Sequence, residues 1–522
     1  MLGVGYGEDN NQTSVENFLK VPLEKINIGY LSGEKEANDP KFEELFYTGN
    51  SKYEELLKEK KFIIKGRKGT GKTILAYYFK KKAKENNIEG CEIYNLSDIN
   101  LQKIIHLEGR EFYKEEYTVF WEYYIYLEMA KLILESKNTV MDVLNYKIIK
   151  LKKFVKEKYE SRYEIEELIR SREGAVSKED KKDKGILSSL IGLSAKINNQ
   201  YKYKPVAYYK ELDVLKRLVK DILKSNDKGF VIMFDNLDEL GDDLEEHKNY
   251  RNMIIGIITC LQNINSEIME INKKSRVILI IRSDILDCLN KHSSNIRKIV
   301  GDNSVDLYWV AKEYNNAEEH LLMDMVLTKI QSSVEEYKNI PKNVLYENLF
   351  PKDISGKNTI SYLSDMSMGR PRQVVELLKC IINNYKTSTE FISSHFRDCL
   401  KYYSPELYKD LLNEFSVHEN KNELNDCLNL IGDFRQPKIN YIDLTTFYKQ
   451  NKDRYPNIKE ESFDECLNQL YSFGIIGEIK KEKNKHTKLS WGYRLDGDEK
   501  INFNERTQLL VHSGLKHKFN ME

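Results

Sequence analysis

Apolar residues occur along the chain in two patterns. Short uninterrupted runs, such as 230–234 and 277–281, predict strands that are covered on both faces of a sheet. Longer segments in which apolar positions recur every three to four residues predict amphipathic helices between these runs. The alternation predicts an α/β fold with three layers, in which helices cover a parallel sheet. The expected strands lie at 61–65, 91–95, 229–235, 276–282 and 306–310, and the main helices at 51–60, 74–86, 209–225 and 248–268.

A helical insertion is expected to interrupt this core at about 100–208. Its first helix, near 115–136, places apolar residues at helical spacing, namely Phe120, Tyr124, Leu127 and Leu134. A second helix, near 138–172, is rich in lysine, and segment 171–185 has almost no core-forming residues, which predicts a mobile loop. Because acidic residues interleave with the lysines, a solvated helix face explains this stretch better than a nucleic-acid surface does.

The pattern divides the chain into four regions. We expect an irregular leader at 1–50, an α/β core at 51–310 that includes the insertion, and an α-helical lid at 311–403. The region 404–522 ends in a helix, a strand, a lysine-rich hairpin and a further strand, which is the plan of a C-terminal winged helix.

Composition narrows the class of protein. The 522 residues include equal numbers of acidic and basic side chains, so no overall field draws the chain to DNA or a membrane. The apolar runs are too short to span a bilayer, and the start of the chain lacks the features of a signal peptide. Seven scattered cysteines without a C-x-x-C motif indicate a reducing compartment. We therefore expect a cytoplasmic protein of two to four domains without a membrane partner.

The most informative motif follows the first predicted strand. It fits G-x-x-x-x-G-K-[ST], the phosphate-binding Walker A loop, with the residues Gly66, Arg67, Lys68, Gly69, Thr70, Gly71, Lys72 and Thr73. We expect the three glycines to adopt positive φ, so that backbone N–H groups point at phosphate oxygens. Lys72 is expected to contact the β- and γ-phosphates, and the Thr73 hydroxyl to bind Mg²⁺. The helix after the loop directs the positive end of its dipole at the same phosphates.

A second motif supports nucleotide binding. The apolar run 230–234 is followed by Asp235, at the carboxyl end of a strand, where open α/β sheets bind ligands. Asp235 is the expected Walker B carboxylate, which holds Mg²⁺ directly or through water. Two further carboxylates, Asp238 and Glu239, follow within one turn.

The order of these features resembles that of the AAA+/STAND group of P-loop ATPases. The features are Walker A at 66–73, Walker B at 231–235, a strand ending in Arg282, Gly-Arg-Pro-Arg at 369–372 and the winged helix. Within this group, the chain is similar to origin-recognition-type ATPases and to bacterial P-loop ATPases that often accompany defence genes. The resemblance covers about 30–100 and 205–522, and the insertion has no counterpart. It implies ATP, rather than GTP, and Mg²⁺ as ligands.

The resemblance implies roles for three arginines. Arg282 corresponds to sensor 1, which reads the γ-phosphate from the neighbouring strand, although it could also be an ordinary surface arginine that closes a strand. Arg372 corresponds to sensor 2, which the lid brings to the phosphates. Arg297 lies where such proteins carry an arginine finger for a neighbour's nucleotide, but an ordinary surface arginine beside Lys298 is the favoured interpretation.

One position departs from the family pattern. Many AAA+ ATPases have Glu directly after the Walker B Asp, where it polarises the attacking water, and here that residue is Asn236. Asp238 or Glu239 is the expected replacement. Hydrolysis is therefore expected but slow, as in a switch rather than a pump.

These features predict an ATP-binding and hydrolysing switch that controls its own oligomerisation or a protein partner or effector, in a phage-defence role implied by the resemblance. The alternative is an ATP-regulated DNA-binding protein of the origin-recognition type. Its recognition helix would begin with carboxylates that repel phosphates, namely Glu460, Glu461, Asp464 and Glu465. The wing is basic, so weak contact between the wing and DNA stays a hypothesis. Its lysines are Lys480, Lys481, Lys483, Lys485 and Lys488. A separate nuclease or protease site has little support, because no motif for one stands out.

Overall fold

A five-stranded parallel sheet forms the centre of the molecule. The computed structural model describes residues 18–58, 61–96, 114–137, 145–158, 208–237, 247–290, 293–310, 315–481, 487–494 and 497–521. The strands are β1 Ile63–Gly66, β2 Ile88–Asn95, β3 Gly229–Asp235, β4 Arg276–Arg282 and β5 Ser304–Asp306. Their order is β2-β3-β4-β1-β5, and all neighbours are parallel. The predicted α/β fold with a parallel P-loop sheet is confirmed.

Helices cover both faces of this sheet. The helices of the described residues before the lid are α1 Gly33–Ala37, α2 Phe42–Leu45, α3 Lys52–Lys58, α4 Lys72–Lys81, α5 Lys114–Ser136, α6 Tyr146–Lys158, α7 Tyr208–Lys224, α8 His247–Ile271, α9 Ser283–Asn290 and α10 Ser294–Asn303. Successive side chains of β3 point to opposite faces, since Ile232 packs with α5, α7 and α8, whereas Met233 packs with α3 and α4. Two apolar clusters therefore sandwich the sheet, which gives the three layers that the apolar runs predicted.

The first helix of the predicted insertion belongs to this sandwich. Helix α5 packs against β2, β3 and α8, and its Trp121 indole donates a hydrogen bond to Met253 O at 3.1 Å. Phe120, Tyr124 and Leu127 are buried as expected, whereas Leu134 is only partly buried. The aromatic side of α5 covers the sheet, so this helix of the predicted insertion packs as part of the core layers. Of the second predicted helix, the described part is α6, and the predicted loop at 171–185 lies outside the described residues.

The leader is more regular than its composition suggested. Residues 18–50 contain α1 and α2, and the buried residues Val21, Leu23, Ile26 and Ile28 share one apolar cluster with the helices of the lid. Helix α1 packs against α4 of the core. In its described part, the predicted leader therefore has two short helices and contacts both the core and the lid.

The C-terminal part is mainly helical. We call residues 315–415 the lid; it contains α11 Leu321–Ser333, α12 Lys342–Leu349, α13 Thr359–Met366, α14 Pro371–Asn384 and α15 Ser393–Phe415, with a short antiparallel pair, β6 Asp353–Ile354 and β7 Lys357–Asn358. As predicted, Pro371 occupies the first position of its helix. Helix α15 runs through the position 403/404 at which the sequence predicted a boundary.

We call residues 416–521 the C-terminal module. Its elements are α16 Lys421–Phe434, β8 Lys438–Asn440, α17 Tyr441–Gln450, α18 Phe463–Phe473, β9 Ile476–Lys481, β10 Thr487–Ser490, β11 Gln508–Val511 and α19 Ser513–Lys516. The sheet order is β10-β9-β11-β8, and the strands are antiparallel. The predicted sequence of helix, strand, hairpin and strand is present in α18, β9 and β10.

Two element ends differ from the prediction. Helix α4 ends at Lys81 rather than near 86, because the chain turns through Lys84–Asn86 and then takes a left-handed conformation at Asn87. The last sheet strand is Ser304–Asp306 rather than 306–310. Its partner β1 curls into the phosphate-binding loop after Gly66, so the ladder ends with the bond from Leu307 N to Lys65 O.

Candidate functional site

The loop between β1 and α4 has the curled backbone that the motif predicted. Gly69 and Gly71 have φ values of +81° and +91°, in the left-handed region that side chains disfavour. Gly66 is different, because its φ is not positive. Close packing excludes a side chain at position 66, because an added Cβ would lie 2.5 Å from Thr70 Oγ1 and 3.2 Å from Leu307 O. The expectation of positive φ at Gly66 was therefore wrong, and close packing explains this glycine.

The two Walker motifs meet at the carboxyl ends of β1 and β3. Thr73 Oγ1 donates a hydrogen bond to Asp235 Oδ2 at 2.7 Å, although 162 positions separate the two residues. Lys72 Nζ donates to Arg67 O at 3.0 Å, inside the curl of the loop. Asp235 is buried at 6% exposure. The structure thus brings together a hydroxyl, a carboxylate and an ammonium group at the N-terminus of α4.

These oxygen atoms fit a Mg²⁺ ion. Mg²⁺ prefers hard oxygen ligands, and it commonly uses one or two protein oxygens together with phosphate oxygens and water. The Thr73 hydroxyl and the Asp235 carboxylate supply such a pair, side by side at the phosphate-binding loop. The described residues contain no cluster of three His, Cys, Asp or Glu side chains that would hold a metal without further ligands. The site therefore suits a cation that arrives together with phosphates.

A cavity of about 260 Å³ opens beside the loop. Lys68, Gly69, Gly71, Lys72 and Thr73 line it from the loop and α4, and the sheet contributes Asp235, Asn236 and Arg282. The lid lines the cavity with Met325, Lys329, Pro371, Arg372 and Val375. The loop with α4, the sheet and the lid therefore form three walls of this cavity.

The leader forms the fourth wall, which sequence reasoning missed. Tyr30, Leu31, Phe46, Tyr47 and Asn50 line the cavity together with Ile74 and Leu75. This wall is mostly apolar and aromatic, whereas the wall at the loop is polar. Such a division suits a ligand with a flat apolar group at one end and anionic groups at the other. The aromatic residues of the leader were a usable signal, but nothing in their spacing linked them to the loop.

Trp309 is a second residue that the motifs did not reveal. Its indole Nε1 donates to Thr70 O at 2.9 Å, and its ring lies 5.7 Å from that of Tyr47. Thr70 is itself buried and its hydroxyl donates to Arg67 O at 2.9 Å. Trp309 therefore braces the loop and connects it to the leader.

The lid touches the loop where sensor 2 was predicted. Arg372 N donates to Gly69 O at 3.2 Å, and a Cβ on Gly69 would lie 2.9 Å from Gln373 Oε1 and 3.1 Å from Arg372 Cβ. The Arg372 guanidinium lies 3.7 Å from Asp410 Oδ1 and also lines the cavity. Lys68 Nζ lies 4.0 Å from the same Asp410 oxygen, and burial lowers the pKa of Lys68. Gly69 therefore allows the closest approach of lid and loop.

Arg282 is at the end of β4, beside Gly66 of β1, and lines the cavity. Its side chain is 3% exposed and holds Asp284 through Nε and Nη2, at 3.0 Å and 2.5 Å. Nη2 also donates to Glu414 O at 3.2 Å. The alternative of an ordinary surface arginine is wrong, because Arg282 is buried. Its sensor role stays a prediction.

Two further predicted residues, Arg67 and Arg297, do not line the cavity. Arg297 is exposed on α10, and the Arg67 side chain points away from the cavity towards the C-terminal module, where Nη2 donates to Phe473 O at 2.9 Å. The two candidate catalytic carboxylates, Asp238 and Glu239, lie outside the described residues. Their roles and that of Arg297 stay predictions.

The backbone explains the residue after Asp235. Asn236 has a φ of +59°, and its N–H donates to Asp235 Oδ1 at 2.8 Å. Asparagine tolerates the left-handed conformation better than glutamate does. The turn after β3 therefore favours Asn at this position, and it lines the cavity with an amide instead of a carboxylate.

The predicted recognition helix α18 is covered by protein on several sides. Asn468 Nδ2 donates to Ile501 O at 3.3 Å, and Asn468 Oδ1 accepts from Ile501 N at 2.7 Å. Gln469 Oε1 accepts from Asn420 Nδ2 at 2.7 Å. Asp464 and Glu465 remain exposed, so the accessible start of the helix is acidic.

Comparisons with known proteins give one family match and several structural similarities. The family model of the FunZ-associated C-terminal helical domain matches residues 320–412, which is most of the lid. No curated protein matches the sequence. No described helix has the length and the apolar composition of a membrane span.

Three solved structures are similar to the chain at low sequence identity. The Aeropyrum pernix Orc1 protein in complex with DNA has 9% identity and a TM-score of 0.34, with 91% of this chain and 92% of that chain covered. Cdc6p from Pyrobaculum aerophilum has 10% identity and a TM-score of 0.29, with 97% of each chain covered. Drosophila ORC bound to DNA has 8% identity and a TM-score of 0.28, with 100% of this chain and 96% of that chain covered. Similarities with TM-scores below 0.5 do not indicate a function.

Proposed function

We propose that the protein is an ATP·Mg²⁺-dependent molecular switch of the AAA+/STAND kind, which hydrolyses ATP slowly and controls its own oligomerisation or a protein partner. The observation that carries the proposal is the meeting of Lys72, Thr73 and Asp235 beside a cavity enclosed by loop, leader and lid. In this proposal, Lys72 and the backbone of the loop bind the β- and γ-phosphates, and Thr73 and Asp235 hold Mg²⁺.

The walls of the cavity support a nucleotide as the ligand. The base would lie against the apolar leader wall near Tyr30, Phe46 and Ile74, and the phosphates would follow the loop. Arg282 and Arg372 would contact the γ-phosphate as sensors, and Asp238 or Glu239 would orient the attacking water. The choice of ATP over GTP, the cytoplasmic location, Arg297 as an arginine finger and the role in phage defence rest on the sequence pattern and the family resemblance alone.

The division into regions suits a switch. We propose the division that the sequence predicted, an ATPase core at 51–310, a helical lid at 311–403 and a winged-helix domain at 404–522, preceded by the leader, with the boundary between lid and module moved to the end of α15 at Phe415. Because the cavity touches leader, core and lid together, ligand binding would fix the position of these regions relative to one another.

Isothermal titration tests this proposal. Wild type should bind ATP·Mg²⁺, and Lys72→Ala should weaken binding by about 30- to 150-fold, the equivalent of about 2–3 kcal/mol for a lost charge-assisted contact. Lys80→Ala is the matched control, because Lys80 lies on the same helix and pairs with Glu92 away from the cavity. It should bind ATP like wild type. Equal affinities of wild type and Lys72→Ala would contradict nucleotide binding at this loop.

A DNA-binding protein regulated by ATP is the second candidate. The wing supports it, since Lys488 is exposed on β10. The acidic, covered helix α18 opposes it, and Lys480 is engaged with Glu478 and Asp498. Lys483 and Lys485 lie outside the described residues. We therefore place the switch first.

A further inference from the structure

The arginine of the phosphate-binding loop connects the nucleotide cavity to the C-terminal module. Arg67 Nη2 donates to Phe473 O at 2.9 Å, at the last residue of α18. The same nitrogen lies 3.8 Å from Glu414 Oε2, in the last turn of α15. Burial, followed by repulsion from Arg370, lowers the pKa of Arg67 to about 10. The partly buried guanidinium is therefore held next to another cation by acceptors that belong to the lid and the module.

Glu414 is the carboxylate on which these contacts converge. It is 1% exposed, and both of its oxygens accept from the guanidinium of Arg370. Its backbone oxygen accepts from Arg282 Nη2 at 3.2 Å. A buried carboxylate needs such partners, because burial without them disfavours the charge. Glu414 thereby contacts three arginines from three different elements: Arg370 and Arg67 through its carboxylate, and Arg282 through its backbone oxygen.

Each of these arginines belongs to an element that lines the cavity. Arg67 precedes Lys68 in the loop, Arg370 directly precedes Pro371 and Arg372 of α14, and Arg282 itself lines the cavity. A shift of the loop, the end of β4 or the start of α14 would therefore change the contacts of Glu414. The last turn of α15 leads directly into the module, so the same shift would reach α18 through Arg67.

A second contact runs parallel to this connection. His418 Nε2 lies 3.4 Å from Asp284 Oδ2, and Asp284 also pairs with Arg282. Although burial disfavours the charged imidazole, the hydrogen bond to Asp284 raises the pKa of His418 to about 9. The end of β4 is thus linked by charged groups to the chain on both sides of Phe415.

We propose that Arg67 and Glu414 transmit the occupancy of the nucleotide cavity to the C-terminal module. Both are positioning residues: Glu414 orients Arg67 and Arg370, and Arg67 joins the loop to α18. The proposal rests on the proposed function, because the ligand is ATP·Mg²⁺. By linkage, if ATP·Mg²⁺ binds more tightly when Arg67 contacts Phe473 and Glu414, its binding also stabilises these contacts between the loop and the C-terminal module.

Hydrogen exchange on the full chain, with and without saturating ATP·Mg²⁺, tests the proposal. In wild type, ATP should slow exchange in the last turn of α15 and in α18 by at least about 5-fold, the lower end of typical coupling between sites. Glu414→Gln keeps the volume and removes the charge, so the effect of ATP on both segments should fall below about 2-fold. Glu419→Gln is the matched control, since Glu419 pairs with Arg251 at the same junction, at 3.1 Å and away from the cavity. It should retain the full effect.

A second variant keeps the test valid if Glu414→Gln does not fold. Arg67→Lys keeps the positive charge but cannot reach two acceptors with one planar group. The effect of ATP should then be lost in α18 and retained in α15, because the pair of Arg370 and Glu414 stays intact. Retention of the full effect in α18 of Arg67→Lys, or in both segments of a folded Glu414→Gln, would overturn the proposal.

Titration calorimetry on the same samples separates the two proposals. If wild type binds ATP but exchange in α15 and α18 does not change, the transmission is wrong and the switch site stands. If wild type does not bind ATP, both the proposed function and this inference are wrong.

Discussion

At the scale of single residues, the cavity depends on three positions with left-handed backbone. Gly69 and Gly71 turn the phosphate-binding loop, and Asn236 turns the chain after the Walker B strand. Gly69 has a second constraint, because the lid approaches it within van der Waals distance. Asn236 takes the place at which many AAA+ ATPases carry the catalytic glutamate, so the conformation that suits Asn also removes the usual base. In the proposed ATPase, the catalytic carboxylate would then come from further along the chain.

Carboxylate variants test which residues bind and which react. Asp235→Asn should weaken the Mg²⁺-dependent part of ATP binding and also slow turnover, because Asp235 lies beside Thr73 at the proposed metal position. Asp238→Asn should leave ATP affinity unchanged and lower turnover roughly 10²-fold or more, as expected for loss of a general base. Calorimetry with and without Mg²⁺ and phosphate release measure the two effects. Asp302→Asn, at an exposed position on α10, should change neither.

The result for Glu239 decides between the two candidates. Normal turnover in Asp238→Asn together with slow turnover in Glu239→Gln would show that Glu239 is the catalytic carboxylate. If neither change slows an already negligible rate, the protein binds ATP as a ligand and is not a working ATPase.

At the scale of elements, the sequence predicted most of the core. The apolar runs located β1, β3 and β4 of the sheet, the prediction at 91–95 fell within β2, and the glycines and Pro371 marked the loop and the start of α14 correctly. The prediction at 306–310 overlaps β5 only at Asp306. Runs of this kind are informative because a strand buried on both faces leaves little freedom in composition. The ends of α4 and β5 were less accurate, since they depend on where a partner strand or a turn ends.

The surfaces against which the leader and α5 pack were not predictable from local sequence pattern. Both depend on contacts between residues that are far apart in the chain, such as Trp121 with Met253 and Asn27 N with Ser333 Oγ. Local pattern shows that a segment has an apolar side but not which surface it covers. The aromatic wall that Tyr30 and Phe46 add to the cavity was missed for this reason.

The leader is held to the lid by a buried ion pair, which a double-mutant cycle can measure. Glu36 and Lys329 are 3% and 6% exposed and pair with each other, and Glu36 Oε2 also accepts from Tyr30 N at 2.8 Å. Removing one partner leaves a buried charge, so Glu36→Gln and Lys329→Met should each lower the free energy of unfolding by about 3–5 kcal/mol. The double variant should lose less than the sum. Urea unfolding followed by tryptophan fluorescence gives these values.

An exposed pair between the same two regions provides the control for this cycle. Lys20 and Glu390 also join leader and lid, with side chains that are 36% and 42% exposed. Lys20→Met should cost no more than about 1 kcal/mol, because water screens exposed pairs. If Lys329→Met and Lys20→Met lowered the free energy of unfolding equally, burial of the pair of Glu36 and Lys329 would not govern the attachment of the leader.

At the scale of the whole molecule, the arrangement favours a protein that changes its internal contacts over one that reads DNA. The formal net charge is zero, so the attraction to a polyanion must come from a local patch. The helix that would enter a groove has an acidic exposed start, and its polar side chains are engaged with neighbouring segments. The arginine of the phosphate-binding loop binds the far end of the same helix. The module is therefore better placed to respond to the proposed nucleotide site than to insert into a duplex.

DNA binding by the wing tests this conclusion directly. Any binding should be weak and salt-sensitive, because the proposed contacts to phosphates are the lysines of the wing, and each neutralised phosphate adds about one unit to the salt slope. Changing Lys481, Lys483 and Lys485 to Glu should abolish the binding and flatten the slope in fluorescence anisotropy with a labelled duplex. Lys438→Glu, on β8 of the same sheet and far from the hairpin in sequence, is the control that should leave the binding unchanged. Tight, sequence-specific binding at physiological salt that survives the triple change would instead require contacts from α18, and the origin-recognition type of function would then replace the switch as the better proposal.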